Sequence, residues 1–216
     1  MTYLEAINKV LRRLREDEVA SPDTSSYSKL IGEFINDANR LVEDAWDWSM
    51  LRTITPVSGI TDSSTIMSVT GLSEADKILS VYNITDNVEV QLGSQQGLYN
   101  SVYIEQAPRG RPDNYVTLGQ DSSGNTQVRF YPDSDGSRVV LFNYVGRTPE
   151  LTSGTDVVKA PSTPVVQLAH AMAAEERGET GGTAASKLYA IAQSSLSDAI
   201  AMDAGRFPTE TVWYDV

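Results

Sequence analysis

Leu41-Val42-Glu43-Asp44-Ala45-Trp46-Asp47-Trp48-Ser49-Met50-Leu51 is the stretch at which this chain changes period. Upstream, Tyr27, Leu30, Ile31, Phe34, Ile35, Ala38, Leu41, Val42 and Ala45 form a long apolar stripe at helical spacing, which predicts a helix over Tyr27–Trp48. From Leu51 onward the pattern becomes one of alternation. Ile66, Ser68 and Thr70 alternate with Met67, Val69 and Gly71, and Ile78, Ser80 and Tyr82 with Leu79, Val81 and Asn83. Val88 and Val90, then Val128 and Phe130, stand among polar neighbours, and Val139–Tyr144 is a more continuous apolar run. Turn signals at Asp86-Asn87, Gly93-Ser94, Arg109-Gly110-Arg111-Pro112, Ser123-Gly124-Asn125 and Asp135-Gly136 separate these segments. The middle therefore reads as about six to eight short strands in an antiparallel sandwich or small barrel.

Helical spacing returns outside this middle. Leu4, Ile7, Leu11 and Leu14 mark an opening helix over Met1–Asp17, with Thr2 and Glu5 spaced as a capping box and Arg12, Arg13 and Arg15 near its negative end. Val165, Val166, Leu168, Ala169, Met172 and Ala173 mark a helix over Pro164–Gly178, and Leu188, Ile191, Ala192, Leu196, Ala199 and Ile200 mark another over Thr183–Asp203. The expected fold class is α+β: a bundle of about four helices with an inserted antiparallel β domain and an extended C-terminal arm. In residues, 1–50 and 160–205 form the bundle, 51–159 the β-rich insertion and 206–216 the arm.

Composition narrows the function. The chain carries 17 Lys+Arg against 29 Asp+Glu, a net charge of −12, which weighs against a nucleic-acid grip built on clustered cations. With no cysteine there is neither a disulfide framework nor a cysteine zinc site, and one histidine excludes a His-rich metal cluster. No apolar run approaches the roughly 20 residues that span a bilayer, and the opening helix lacks the layout of a secretory signal. The expectation is a soluble protein with no cofactor.

Several local patterns invite chemistry and are better read as structure. Glu16-Asp17-Glu18 is a solvated helix end, because adjacent carboxylates on a helix do not converge on one point. Asp133-Ser134-Asp135-Gly136 starts like a calcium loop but lacks the later carboxylates, so a hairpin turn is favoured. Gly178–Thr183 lacks the Gly-Lys-Ser/Thr ending of a phosphate loop and reads as a turn between helices. His170 lies within an apolar helix face, where a packed side chain is the ordinary case. Arg109 and Arg111 form a short basic loop, a possible contact with a partner. Trp46 and Trp48 close the long helix at a spacing that sends one ring into the core and the other to a neighbouring element, a structural anchor between helix and β domain.

The last segment is Arg206-Phe207-Pro208-Thr209-Glu210-Thr211-Val212-Trp213-Tyr214-Asp215-Val216. Pro208 stops the preceding helix, and Thr211–Tyr214 is strand-prone. Phe207, Val212, Trp213 and Tyr214 are costly to leave in water and suit an extended arm that pairs with an exposed sheet edge on a partner. The alternative is an arm that folds back on its own domain.

In the order of these parts the chain resembles the head-to-tail adaptors of tailed phages, especially the tubular tail protein A type of short-tailed phages. The residues that carry the likeness are the opening helix Glu5-Ala6-Ile7-Asn8-Lys9-Val10-Leu11-Arg12-Arg13-Leu14, the acidic break after it, and the long helix closing on Trp46-Asp47-Trp48 before a β region. The resemblance implies a structural virion protein at the head–tail junction, made in the host cytoplasm. It implies a ring of about twelve copies below the portal protein that extends the DNA channel and offers a platform to a downstream tail or nozzle protein. It also implies portal docking by the tail, here through Arg206, Phe207, Val212, Trp213 and Tyr214. In that setting an acidic wall lets genomic DNA slide past without specific binding.

Two other classes compete. A receptor- or glycan-binding virion protein would use the β domain, with Tyr99, Tyr103 and Tyr115 as its aromatic contacts if they lie on loops. A carboxylate-dependent hydrolase would need two carboxylates across a concave site at glycosidase separation. No nucleophile–base pair in the sequence points to it, and the expectation is a protein that is not an enzyme.

Overall fold

The computed structural model describes residues 1–60, 66–106, 108–178 and 183–206. The chain divides into two compact units, one built from Met1–Leu51 with the residues from Thr148 onward, the other from Arg52–Arg147.

The first unit is helical. Helix α1 (Tyr3–Arg13) opens on the expected capping box: the Thr2 hydroxyl accepts from the Glu5 N–H at 3.3 Å, and Glu5 Oε2 accepts from the Thr2 N–H at 2.9 Å. Its buried face is Tyr3, Ala6, Ile7, Val10 and Leu11. Each large apolar side chain removed from water in this way contributes about 1.5–3 kcal/mol. The helix stops earlier than its sequence pattern suggests. Arg15 adopts a left-handed φ of 59°, and the Glu16 N–H turns back to the Leu11 carbonyl at 3.0 Å.

Helix α2 (Ser26–Asp44) is capped by Ser25, which exchanges hydrogen bonds with Ser28. It too ends before the predicted residue. The Trp48 indole donates to the Val42 carbonyl at 2.7 Å, satisfying an acceptor that the end of the helix leaves open. Trp46 and Trp48 thus lie beyond the helix, ahead of a short 3₁₀ turn at Ser49–Leu51. Gly32 is required where Tyr3 crosses α2, since a Cβ there would collide with the Tyr3 hydroxyl.

Helix α3 (Gln95–Tyr99) belongs to the other unit. Helices α4 (Ser162–Glu176) and α5 (Thr183–Ala204) complete the bundle. α4 is its centre, packed against α1, α2 and α5. It buries Val165, Val166, Ala169, Ala171, Ala173 and Ala174, and the small side chains let neighbouring helices approach closely. The connection into α4 is part of this unit rather than of the β region: Leu151, Val158 and Ala160 are buried. Asn36 brackets Leu151 with two hydrogen bonds of 3.0 Å, and the Tyr3 N–H donates to the Asp156 carbonyl at 2.8 Å.

The second unit holds two four-stranded sheets. One runs β1 (Arg52–Ile60), β8 (Arg138–Val145), β3 (Lys77–Asn83), β4 (Val88–Glu89), with all neighbours antiparallel. The other runs β2 (Met67–Ser68), β7 (Thr126–Tyr131), β6 (Asn114–Gln120), β5 (Gln91–Leu92), and its β5–β6 pair is parallel. The first and last strands are partners, with Arg52 opposite Val145.

Val57, Val81, Val140 and Phe142 from one sheet share a core with Tyr115, Val128 and Phe130 from the other. Phe142 sits edge-on to Tyr115 at 6.1 Å and to Phe130 at 6.2 Å, the geometry in which ring edges meet ring faces. One segment departs from the strand reading. Gln95–Tyr99 forms the short helix α3, capped by the Ser94 hydroxyl, and Asn100–Ile104 continues it as a π turn. The cap at Ser94 overrides a sequence otherwise mixed in period.

Candidate functional site

The base of the expected arm is a built feature. Near the last turn of α5, Asp203 is 3% exposed although it carries a carboxylate. Its Oδ2 accepts from the Trp46 indole at 3.2 Å and the Ser49 N–H at 3.0 Å, and its Oδ1 accepts from the Ser49 hydroxyl at 2.5 Å. Arg206 stands 3.7 Å from Oδ1. Burial pushes the Asp203 carboxyl upward, but the Ser49 and Trp46 hydrogen bonds outweigh it and hold the group below its ordinary range. The C-terminal end of α5 is thereby tied to the segment after α2. Arg206 is exposed at this end, while Phe207, Val212, Trp213 and Tyr214 lie outside the described residues.

The two tryptophans differ in environment. Trp48 is completely buried and Trp46 is 37% exposed. Their indoles bond to Val42 and Asp203, both within the helical unit.

The same unit also carries an apolar groove of about 330 Å³. Leu41 and Val42 of α2, Pro164 and Leu168 of α4, and Ala192 and Leu196 of α5 line it. Leu41 is 52% exposed. Tyr189 also lines the groove, its hydroxyl donating to Glu175 Oε2 at 2.5 Å.

The basic loop of the β unit is engaged by acids. Arg111 pairs with Asp113 at 2.9 Å. The Gly110 N–H donates to the Asp133 carbonyl at 2.9 Å, which joins the loop to the turn after β7. In that turn Asp133 meets Arg129 at 3.4 Å and Asp135 meets Arg138 at 2.6 Å. Arg138 also binds Asp86 at 2.6 Å, and this contact holds the Asp86 carboxyl below its usual range. Arginines and aspartates alternate here, so the loop offers no net basic patch for phosphate. The Asp133–Gly136 turn spends its carboxylates on arginines.

The tyrosines separate. Tyr115 is 5% exposed within the sandwich core and leaves the set of surface contacts. Tyr99 and Tyr103 are exposed on α3 and the π turn, with ring centroids 6.0 Å apart. His170 lies half-buried beside Arg13; burial, then the Arg13 charge, lowers its pKa. Glu16 pairs with Arg177 at 3.0 Å and Glu18 with Arg12 at 3.3 Å. The predicted turn between α4 and α5 falls mostly on 179–182, outside the described residues. No group of three or more acidic or histidine side chains placed to hold a metal occurs among the described residues. Nor, among them, is any helix long and apolar enough to cross a membrane.

The sequence model of one family, described as SU10 adaptor protein, matches residues 1–211. The chain belongs to the SU10 adaptor protein family. No curated protein matches the sequence. The match runs through the helical unit and the β unit alike, and reaches into the arm segment as far as Thr211. The resemblance to phage head-to-tail adaptors, read from the opening helix and the Trp46-Asp47-Trp48 closure, therefore holds at the level of family. As a phage adaptor the chain is a structural component of the virion.

Sequence reasoning missed the residues that organise this adaptor's junction. Asp203 looked like one acid among 29 Asp+Glu. Its signal was faint: an acid near the end of a helix, where a negative charge is unfavourable without donors from elsewhere. Glu43 was missed in the same way. It is 6% exposed, accepts from Asn39 at 2.9 Å and also binds the Thr148 hydroxyl, so that the chain's return from the β unit is fixed on α2.

Proposed function

We propose that copies of this chain form a closed ring between portal and tail, extending the channel through which the genome leaves. The observation that carries this reading is the adaptor family match across both units. A ring of about twelve copies built from repeated heterologous contacts suits such a position, as does a phage of the short-tailed kind. The net charge of −12 supports a wall past which DNA slides without being held. In this reading the chain acts by shape and contact, with no catalytic step.

The arm from Arg206 is the portal-docking element, with Phe207, Val212, Trp213 and Tyr214 as anchors, and the downstream tail or nozzle protein binds elsewhere on the ring. The helical unit serves as the bundle that builds the ring, and Arg52–Arg147 as the insertion it displays. Sizing the purified chain alone and then with portal tests the proposal: a defined ring-on-ring complex is expected. A chain that stays monomeric and unbound when mixed with portal overturns it.

A second reading draws on the exposed Tyr99–Tyr103 pair, which gives the β unit an aromatic surface suited to a sugar face. Loss of glycan or cell-surface binding in a Tyr99→Ala, Tyr103→Ala double variant would favour it.

A further inference from the structure

The β unit carries exposed apolar side chains on both outer sides of its sandwich, and the two sides face in opposite directions. We infer that each β unit seats its Tyr99–Ile104 ridge on the outer face of the β1–β8–β3 sheet of a second copy, the next one around the ring. It rests on the ring reading and adds to it a lateral contact between insertions.

Val57, Val81, Val140 and Phe142 point into the sandwich core, so strand alternation sends their neighbours outward. Pro56, Leu141 and Tyr82 are register partners and form one row across the three strands. Ile54, Asn143 and Ser80 form the next row. Ile54 is 63% exposed, and Pro56 and Tyr82 are exposed as well. The Asn143 amide donates to the Ser80 hydroxyl at 3.1 Å, so the two polar members serve each other. None of these six side chains is charged, on a chain that carries 29 Asp+Glu.

The other side of the unit is built differently. Tyr115, Val128 and Phe130 fill the core from the second sheet, so Val116, Arg129 and Tyr131 face away from it. Leu98 shares a buried cluster with Val116 and Tyr131, which sets α3 on that outer face. The Arg129 guanidinium lies 6.0 Å from the centre of the Tyr103 ring and places the π turn there too. Tyr99, Tyr103 and Ile104 are exposed along this ridge, Ile104 by 73%.

Closed cyclic symmetry requires two different patches on each copy, one meeting the other on the next. In a ring of about twelve, successive copies turn by about 30°, so the two patches must point about 150° apart. The two outer sides of one sandwich come close to that. Charge selects the same pair of copies. Chains of net charge −12 repel one another, and a charge buried between them costs desolvation, so copies meet best through uncharged surface. The area sets the strength. The two rows span about 10 Å across the strands and about 7 Å along them, far short of the roughly 800 Å² per partner that a stable pair buries. The contact therefore forms within the ring and does not pair copies in dilute solution.

The chain has no cysteine, so introduced thiols report without background. A Ser80→Cys, Glu105→Cys chain, assembled into rings and treated with a short bismaleimide, should give a ladder of linked chains. Either single variant should stay unlinked. Adding Tyr82→Glu should cut the linking at least tenfold while the far-ultraviolet spectrum stays unchanged. Rings that form but leave the double variant unlinked overturn the inference and spare the ring reading. Dimers from Ser80→Cys alone or Glu105→Cys alone also overturn it, since like surfaces then meet. Linking that Tyr82→Glu leaves unchanged overturns it as well. If no ring forms with or without portal, the ring reading fails and this contact with it.

Discussion

Asp203 accepts the Trp46 indole N–H at 3.2 Å, a hydrogen bond that joins two residues more than 150 positions apart. Removing the carboxylate strands this donor and the Ser49 N–H. Asp203→Ala should cost about 2–3 kcal/mol, since a hydrogen bond to a charged group is worth about 1.5–3 kcal/mol and an unmet buried donor adds its own penalty. Asp203→Asn, which keeps one acceptor, should lose less. Urea unfolding of the three chains at pH 7 ranks them.

Acid should act in two separate windows. The Asp203 carboxyl lies below its ordinary value of 3.8 in the folded chain, so its contribution is present above that value and disappears as pH falls through the lower folded value. The His170 imidazole is also lowered, from 6.5. For a histidine that sign means the unfolded chain takes up protons first, and stability declines as pH drops below 6.5. His170→Gln should flatten the stability curve just below neutrality and leave the more acidic loss in place, as followed by thermal melts across pH.

Gly32 and Tyr3 form a tight pair. Gly32→Ala gains helix propensity of about 1 kcal/mol but forces a methyl onto the Tyr3 hydroxyl, and overpacking of this kind costs about 1–3 kcal/mol. The net effect should be destabilising. Tyr3→Phe removes the hydroxyl, so the double variant should be more stable than Gly32→Ala alone. A double-mutant cycle by denaturant unfolding would detect the coupling, and additive values would show that the contact carries no penalty.

Deleting Phe207–Val216 should leave a folded chain that no longer joins the portal. Trp213→Ala alone should weaken portal binding about thirtyfold, the effect of losing one aromatic anchor worth about 2 kcal/mol. Titration against portal reads both. If the shortened chain binds with unchanged affinity, the docking role passes to another surface.

Duplex DNA should bind more weakly than micromolar at physiological salt, because a net charge of −12 opposes the DNA phosphates. A tight, salt-sensitive complex in a fluorescence anisotropy titration would contradict the sliding-wall reading.

The α+β plan was legible because period is a local property. The apolar stripe of α2, the capping box of α1 and the alternation across β8 each follow from residues a few positions apart. The ends of α1 and α2 were not, since a left-handed Arg15 and a Trp48 indole returning to Val42 depend on how the chain packs after leaving the helix. α3 escaped notice because Gln95–Tyr99 is too short to show a period, and its cap at Ser94 also reads as a turn. At the candidate site, Arg206 and Trp46 were visible as types, but the carboxylate that holds the Trp46 indole is Asp203, more than 150 positions away in the sequence. The apolar groove was invisible for the same reason, as its lining is contributed by three helices.

The pairing of β1 with β8 has a consequence for how such a chain can change. Arg52 and Val145 face each other across one strand spacing, about 5 Å, so the chain enters and leaves the β unit on neighbouring strands. To the helices, everything between is equivalent to a short loop with adjacent ends. The insertion is in this sense a cassette, its first and last residues side by side. New surface can then be tried on the β unit without rebuilding the helices.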